Sequence, residues 1–270
     1  MLNRLYAQTD MKDNRILPLW FVCILLFMLM LNVNMNATAQ AQTPAPDAEF
    51  AFSRAYYTSG NPVTDGYGQG RTQTWLTDWP EAESHFIEGL SRLTRVNTSA
   101  EGRVVSLLED DFYDYPWMYA VEVGYWNLSD LEAKRLREYL LRGGFLMVDD
   151  FHGTQEWAGF MTSMRKIFPD RQFIEIDPDH EVMHVLFDLN NKVQIHGLQF
   201  FYSGRTYEKD GIAPHWRGIM DDAGRLMVAI NFNMDIGDAW EHADTPYYPE
   251  PMTALAYRFG TNYVIYAMTH

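Results

Sequence analysis

The chain has 270 residues, 47% of them hydrophobic and 15% aromatic, enough for one sizeable core and too rich in rings for a disordered chain. The formal net charge is -15 and the pI is near 4.8. That balance excludes attraction to nucleic acid or to anionic lipid through bulk electrostatics.

The first predicted element is a leader. Arg4, Lys12 and Arg15 give a basic start that Asp10 and Asp13 dilute. Ile16 to Leu31 is apolar apart from Pro18 and Trp20, and Ala37-Thr38-Ala39 and Ala39-Gln40-Ala41 both fit small-x-small cleavage sites. Residues 1–41 therefore read as a secretory signal peptide cut at Ala39 or Ala41, with Met11 as an alternative start. An uncleaved anchor is the other reading, and it would be the only contact with a membrane. Either way the domain is exported, to the periplasm or the cell exterior. The one cysteine, Cys23, lies inside the apolar run, so the mature chain would have no disulfide, no thiol nucleophile and no thiolate metal site. Residues 42–48 read as a linker and 49–268 as one domain.

Phe50 to Tyr57 reads as a strand carrying Arg54, and the Gly-rich stretch Ser59 to Thr74, which holds Arg71, reads as a surface loop. It lacks the Lys-Ser/Thr ending of a phosphate loop. Asp78 can cap a helix with Pro80 and Glu81 in its first turn and Phe86, Ile87, Leu90 and Leu93 on its apolar face. Strands are expected over Val104–Leu108 and Tyr115–Val123. Ser129 and Glu132 form the pattern of a capping box. The helix they start places Leu131, Leu136, Tyr139 and Leu140 on one face and ends at Gly143-Gly144, where positive φ costs glycine nothing. Phe145 to Val148 is a continuous apolar run, as in a strand covered on both faces. Asp149, Asp150 and His152 follow it, where open α/β sheets place their ligands.

A helix over Gln155–Phe168, a strand over Phe173–Ile176 and a short helix within Asp177–Leu189 come next. Val193–Ile195 reads as extended and Phe200–His215 as irregular. Gly218–Met220 and Leu226–Asn233 flank a turn at Asp221, Asp222 and Gly224. Asn233 to His242 reads as a polar loop, and Pro251–Thr269 as the closing helix. Alternating strands and helices imply a three-layer α/β/α sandwich with a mainly parallel sheet, plus a C-terminal β-hairpin and helix.

The run PWMYAVEVGYWNLSDLEAKRLREYLLRGGFLMVDDFHG resembles a bacterial family known as domain of unknown function 4159. GRLMVAINFNMDIGDAWE and AYRFGTNYVIYAMTH resemble its C-terminal part, in the expected order. The resemblance covers residues 48–268 and implies a flavodoxin-like fold of the class I glutamine amidotransferase kind. In that fold this strand can deliver a nucleophilic cysteine on a tight elbow. Here the elbow reads Asp149, Asp150, Phe151, His152, so cysteine-dependent amidotransfer is excluded. Members of the family often neighbour a MoxR-type ATPase and membrane proteins with von Willebrand-type domains, which implies a role at the cell envelope.

Several constellations could carry chemistry. Asp149, Asp150 and His152 could hold a divalent metal with Asp235, Asp238, Glu241 or His242. The bland alternative is that Asp149 or Asp150 caps the next helix. HEVMH, His180 to His184, formally matches the zinc-protease pattern with Glu181 as base. No third ligand is evident, Glu208 being the nearest downstream glutamate, so one packed and one solvated histidine is the expectation. Arg54, Arg71 and Arg205, with Asn233, Asp235, Asp238, Trp240 and Glu241, are candidates for gripping a ligand. Tyr67, Trp75, Trp126, Trp216 and Trp240 could stack on sugars, or lie in the core.

No catalytic set is complete in the sequence. The favoured reading is an exported, non-catalytic module that binds a small ligand or an envelope protein, with no established cofactor. A metal-assisted hydrolase at Asp149, Asp150 and His152, or on His180 and His184, is the alternative. Carbohydrate binding stands behind both.

Overall fold

Apolar runs and amphipathic helices alternate along the chain and condense into one seven-stranded sheet covered on both faces. The computed structural model describes residues 48–60, 63–64, 70–71, 73–190 and 192–270. The leader with its Cys23, most of the linker, Tyr67 and the side chain of Arg71 lie outside the described residues. No described helix is long and apolar enough to cross a membrane.

In chain order the elements are β1 (Ser53–Tyr56), β2 (Val63–Thr64), β3 (Gly70–Arg71), α1 (Glu81–Leu93), β4 (Arg103–Ser106), β5 (Trp117–Val121), α2 (Asp130–Leu141), β6 (Phe145–Asp149) and α3 (Gly153–Ile167). They continue with β7 (Ile174–Glu175), α4 (Gln199–Ser203), β8 (His215–Met220), β9 (Leu226–Phe232), α5 (Ile236–Glu241) and α6 (Glu250–Thr269). β2 and β3 form a separate hairpin, and the main sheet has the order β4-β1-β5-β6-β9-β8-β7. Neighbours from β4 to β9 are parallel, and β8 is antiparallel to both β9 and β7. The result is a three-layer α/β/α sandwich with a mainly parallel sheet and a C-terminal hairpin and helix.

The strands' period of two sorts the core. Trp117, Tyr119 and Val121 of β5 and Phe145 and Met147 of β6 face one layer, with Phe86 of α1, Trp240 of α5 and Phe259 and Tyr263 of α6. Met118, Ala120, Leu146 and Val148 face the other, with Leu136 and Leu140 of α2 and Phe160 and Met164 of α3. Asp149 continues the Phe145–Met147 face, so its carboxylate is aimed at the α5 side of the sheet. β1 lies between β4 and β5, so successive connections leave it in opposite directions. That reversal opens a crevice at the carboxyl ends of the strands.

Ser129 caps α2 and Glu132 closes the capping box, as its pattern requires. Elsewhere the expectations need correction. Pro80, not Asp78, occupies the cap position of α1, and Asp78 contributes only its backbone carbonyl there. His152 precedes α3 without a side-chain cap, so neither Asp149 nor Asp150 caps that helix. The stretch 233–242 is not simply a loop: it contains α5, capped by Asp235, whose Oδ1 accepts from Asp238 N at 2.9 Å. The segment after Asp177 makes only a 3-10 turn, Glu181–Met183, and 193–195 pairs with no strand.

Candidate functional site

Three adjacent parallel strands end in the same way. The residue after β5 is Glu122, after β6 Asp150 and after β9 Asn233, and each has a left-handed backbone, with φ of 54°, 50° and 63°. Asp78 (64°) and Lys209 (52°) complete the set of described non-glycine residues with positive φ. Such conformations cost about 1–3 kcal/mol each and persist where the surrounding fold imposes them. All five lie around one crevice rim. Asn233 holds the rim together: its Oδ1 accepts from Gly153 N (2.9 Å) and its Nδ2 donates to Ala213 O (2.7 Å). With both ends of its amide engaged, it acts as a joint of the rim rather than a ligand grip.

Asp149 is fully buried. Its Oδ2 accepts from Ile236 N (2.8 Å), Gly237 N (2.9 Å) and the Tyr119 hydroxyl (3.2 Å), and Oδ1 has no partner. Burial, reinforced by the charge of Asp150, pushes its carboxyl up to about 8, despite those backbone donors. Asp149 thus docks the start of α5 on the sheet. That places Asp235 and Asp238 at the same rim.

The acids there fall into distinct groups. Asp150, His152 and Glu208 offer ligand atoms within 4.8 Å of one another, as do Asp78, Asp235 and Asp238, and Asp238, Glu241 and His242. In the first group His152 Nε2 lies 3.1 Å from Asp150 Oδ1 and 3.9 Å from Glu208 Oε1. Burial pulls this imidazole down, but the bond to Asp150 and the charges of Asp150 and Glu208 outweigh it and raise its pKa. Glu208 arrives on a segment pinned to the start of α3 by Asp210, which accepts from Thr154 N and Oγ1. Lys209, next to it, pairs with the buried Glu156.

The second group is made of acids alone. Burial raises Asp78 and Asp235 well above the carboxylate range, with Asp238 and Asp150 adding repulsion to both. Burial also raises Asp238. Gly197 and Gly237 let these oxygens crowd together. A Cβ on Gly197 would fall 2.2 Å from Asp235 Oδ2 and 2.7 Å from Asp238 Oδ2, and one on Gly237 would fall 2.2 Å from Asp78 Oδ2. Asp78 Oδ2 is shielded from water and has no hydrogen-bond partner. Asp150 links the groups electrically, because its charge reaches Asp78, Asp235 and Asp238 as well as His152, Glu122 and Glu208.

The sequence-predicted residues are therefore divided. Asp150 and His152 come together, but their third partner is Glu208 rather than Asp235 or Glu241. Trp240 is fully buried against Phe86, with ring centroids 4.5 Å apart, so it belongs to the core and not to a ligand surface. Trp126 and Trp216 are buried as well, so neither can stack on a sugar, and Trp75 is half-buried. Arg54 is buried in an ion pair with Glu83 and donates to Trp75 O (3.0 Å) and Thr77 O (2.7 Å), so it positions the loop that carries Asp78. Arg205 lies exposed beside the Tyr207 ring. HEVMH does not bring its two imidazoles together on one helix face. It lies on a 3-10 turn, His180 Nδ1 accepts from Val182 N, and both nitrogens of His184 are engaged, by Asp188 and Pro178 O.

Asp78 and Glu122 went unrecognised in the sequence because one looks like a helix cap and the other like a strand end. Two wide clefts, of 620 and 720 Å³, open elsewhere along α1 and α6. Neither includes Asp149, Asp150, His152, Asp235 or Asp238. Chemistry outweighs volume here, because the perturbed groups converge at the rim.

The profile of the family described as domain of unknown function (DUF4159) matches residues 65–268. The chain belongs to this family. No curated protein matches it. The matched region of this DUF4159 chain contains the whole acidic rim, from Asp78 to His242.

Proposed function

We propose that this DUF4159 chain is a divalent-cation-dependent hydrolase. Its ion is held by Asp78, Asp235 and Asp238, and its proton acceptor is His152, oriented by Asp150. The observation that carries this reading is the crowding of three carboxylates, Asp235 buried and Asp78 and Asp238 partly buried, with ligand atoms within 4.8 Å at the carboxyl rim of a parallel sheet. Unpaired buried charges of one sign are costly, and a hard cation with several oxygen ligands is the partner that leaves them ionised. A bound cation lowers the pKa of a coordinated water, and the His152–Asp150 pair is suited to accept its proton. The leader pattern in residues 1–41 supports placing this activity outside the cytoplasm.

The test uses protein stripped with chelator and titrated with Mn²⁺ or Mg²⁺. Binding is read by calorimetry and by melting temperature, and turnover on chromogenic phosphate and acyl esters. Wild type is expected to gain about 2.7 kcal/mol of stability at a hundredfold excess over Kd. Asp235→Asn is expected to gain almost none. No binding by wild type would overturn the proposal. Binding without a cation-dependent rate would instead support the non-catalytic, exported binding module.

A further inference from the structure

We infer that Gln199 is a further ligand of the cation, to which its side-chain Oε1 supplies a neutral oxygen. The inference rests on the reading above that Asp78, Asp235 and Asp238 hold that ion, and it adds an uncharged group to the three acids.

A Cβ on Gly197 would fall 2.2 Å from Asp235 Oδ2, 2.7 Å from Asp238 Oδ2 and 2.9 Å from Gln199 Oε1. Oxygens of three different residues thus converge on one point, which the missing Cβ of Gly197 leaves open. The segment that delivers Gln199 is fastened to the same acids at two places. Asp235 N donates to Ile195 O (3.0 Å), and Leu198 N donates to Asp238 Oδ2 (2.6 Å). Gln199 opens α4 one residue beyond that second anchor, so its side chain starts from a backbone already fixed against Asp238.

The independent observation is that this amide is idle within the fold. Neither Oε1 nor Nε2 of Gln199 has a hydrogen-bond partner, and both atoms are shielded from water. Gln194, Asn231, Asn233 and Asn262, the amides buried elsewhere in the domain, each use both ends. A shielded amide costs free energy unless something pairs with it. Its oxygen also stands beside two carboxylate oxygens, and oxygens alone repel one another. A hard cation between them turns that repulsion into coordination. Carboxylates and amide carbonyls together are the ligand set that Ca²⁺, Mg²⁺ and Mn²⁺ accept. In a shell of roughly six oxygens, Asp78, Asp235, Asp238 and Gln199 leave places for the water that hydrolysis consumes. Gln199 thereby raises the number of ligands without adding to the charge the ion must balance.

The test titrates the full chain, stripped with chelator, with Mn²⁺ in a calorimeter, and melts the chelated protein by circular dichroism. Gln199→Met keeps an unbranched side chain of similar length and removes the amide. It is expected to weaken Mn²⁺ binding by about tenfold or more, the loss that follows even from removing an outer partner of a metal site. Its chelated form should melt no lower than wild type, because an unpartnered amide is gone. Gln199→Glu keeps an oxygen there and adds a charge. It should bind Mn²⁺ more tightly than wild type and melt lower when chelated. Unchanged Mn²⁺ affinity in Gln199→Met would overturn the role of Gln199 while sparing the proposed function. A chelated Gln199→Met that melts well below wild type would overturn it as well, since the amide would then be bonding within the fold. No Mn²⁺ binding by wild type would overturn the proposed function itself.

Discussion

The two ends of the same parallel strands are built on opposite principles. At the amino end of β6 and β9, Arg225 donates to Leu140 O (2.6 Å) and to Gly143 O and Gly144 O (3.2 Å each), and pairs with Asp221 at 3.2 Å. One cation there satisfies the last carbonyls of α2 and the turn that follows. At the carboxyl end the same strands run into left-handed Asp150 and Asn233, among carboxylates that burial and mutual repulsion drive towards protonation. One rim is saturated with partners and the other is in deficit of positive charge. The difference separates a part that stabilises the fold from a part that the fold holds at a cost.

Substitutions at the two rims should therefore behave differently. The largest effect is expected on chemistry at the carboxyl rim. His152→Gln, which roughly keeps the side-chain volume, should lower the cation-dependent hydrolytic rate by about 100-fold or more while cation affinity at Asp78, Asp235 and Asp238 is kept. An unchanged steady-state rate would remove His152 from the mechanism. Next in size is Arg225→Ala at the amino rim, which strands several carbonyls. It should cost about 3 kcal/mol in urea unfolding and leave cation binding untouched. Loss of cation binding in that variant would show that the rims are not independent.

A smaller effect of opposite sign is expected for Asp150→Asn. Asparagine tolerates left-handed backbone and removes the charge that reaches Asp78, Asp149, Asp235 and Asp238. The chelated variant should be more stable than wild type by about 1 kcal/mol, one pKa unit of relief being worth about 1.4. A loss of stability would mean that the bond from His152 to Asp150 outweighs the repulsion. A further effect is in pH. Asp149 keeps its proton in the folded state up to about 8, against an ordinary 3.8. Between those values the folded chain binds more protons than the unfolded one. Stability from this group is thus full below the ordinary range and declines as pH rises towards 8. The melting temperature of chelated protein should fall by about 2–4 °C or more between pH 5 and pH 8. A saturating divalent cation should offset the fall, because it favours the ionised acids. A flat melting profile without cation would contradict the deficit of charge at this rim.

Much of the architecture could be read from the chain. The period-two and helical patterns, the Ser129–Glu132 box, the Gly143-Gly144 stop and the apolar run Phe145–Val148 each report a local preference, and local preferences agree with the fold here. The placement of Asp150 and His152 beyond β6 followed from the same run. Not all of the remaining members followed. Asp78 precedes a helix and Glu208 sits in an irregular segment, so nothing in their sequence neighbourhoods sets them apart, while Asp235 and Asp238 stand out in the sequence but as partners of Asp150 and His152 rather than of Asp78. The 3.6-residue pattern of α5 is too short to stand out from its polar surroundings. HEVMH shows the converse, a motif whose spacing matches while its backbone turns the imidazoles to separate partners.

The sequence by itself determined the long helices and most of the sheet's strands, that a parallel sheet would carry Asp149 and Asp150 at its carboxyl edge, and that no thiol in the domain could serve there. Those are consequences of side-chain periodicity and residue type, which act over a few neighbours. Only the tertiary structure decided which acids share a rim, because Asp78, Asp150, Glu208 and Asp235 are brought together by strand order and by α5 docking on the buried Asp149. Burial and electrostatic repulsion depend on distances through space, and a linear pattern does not contain them.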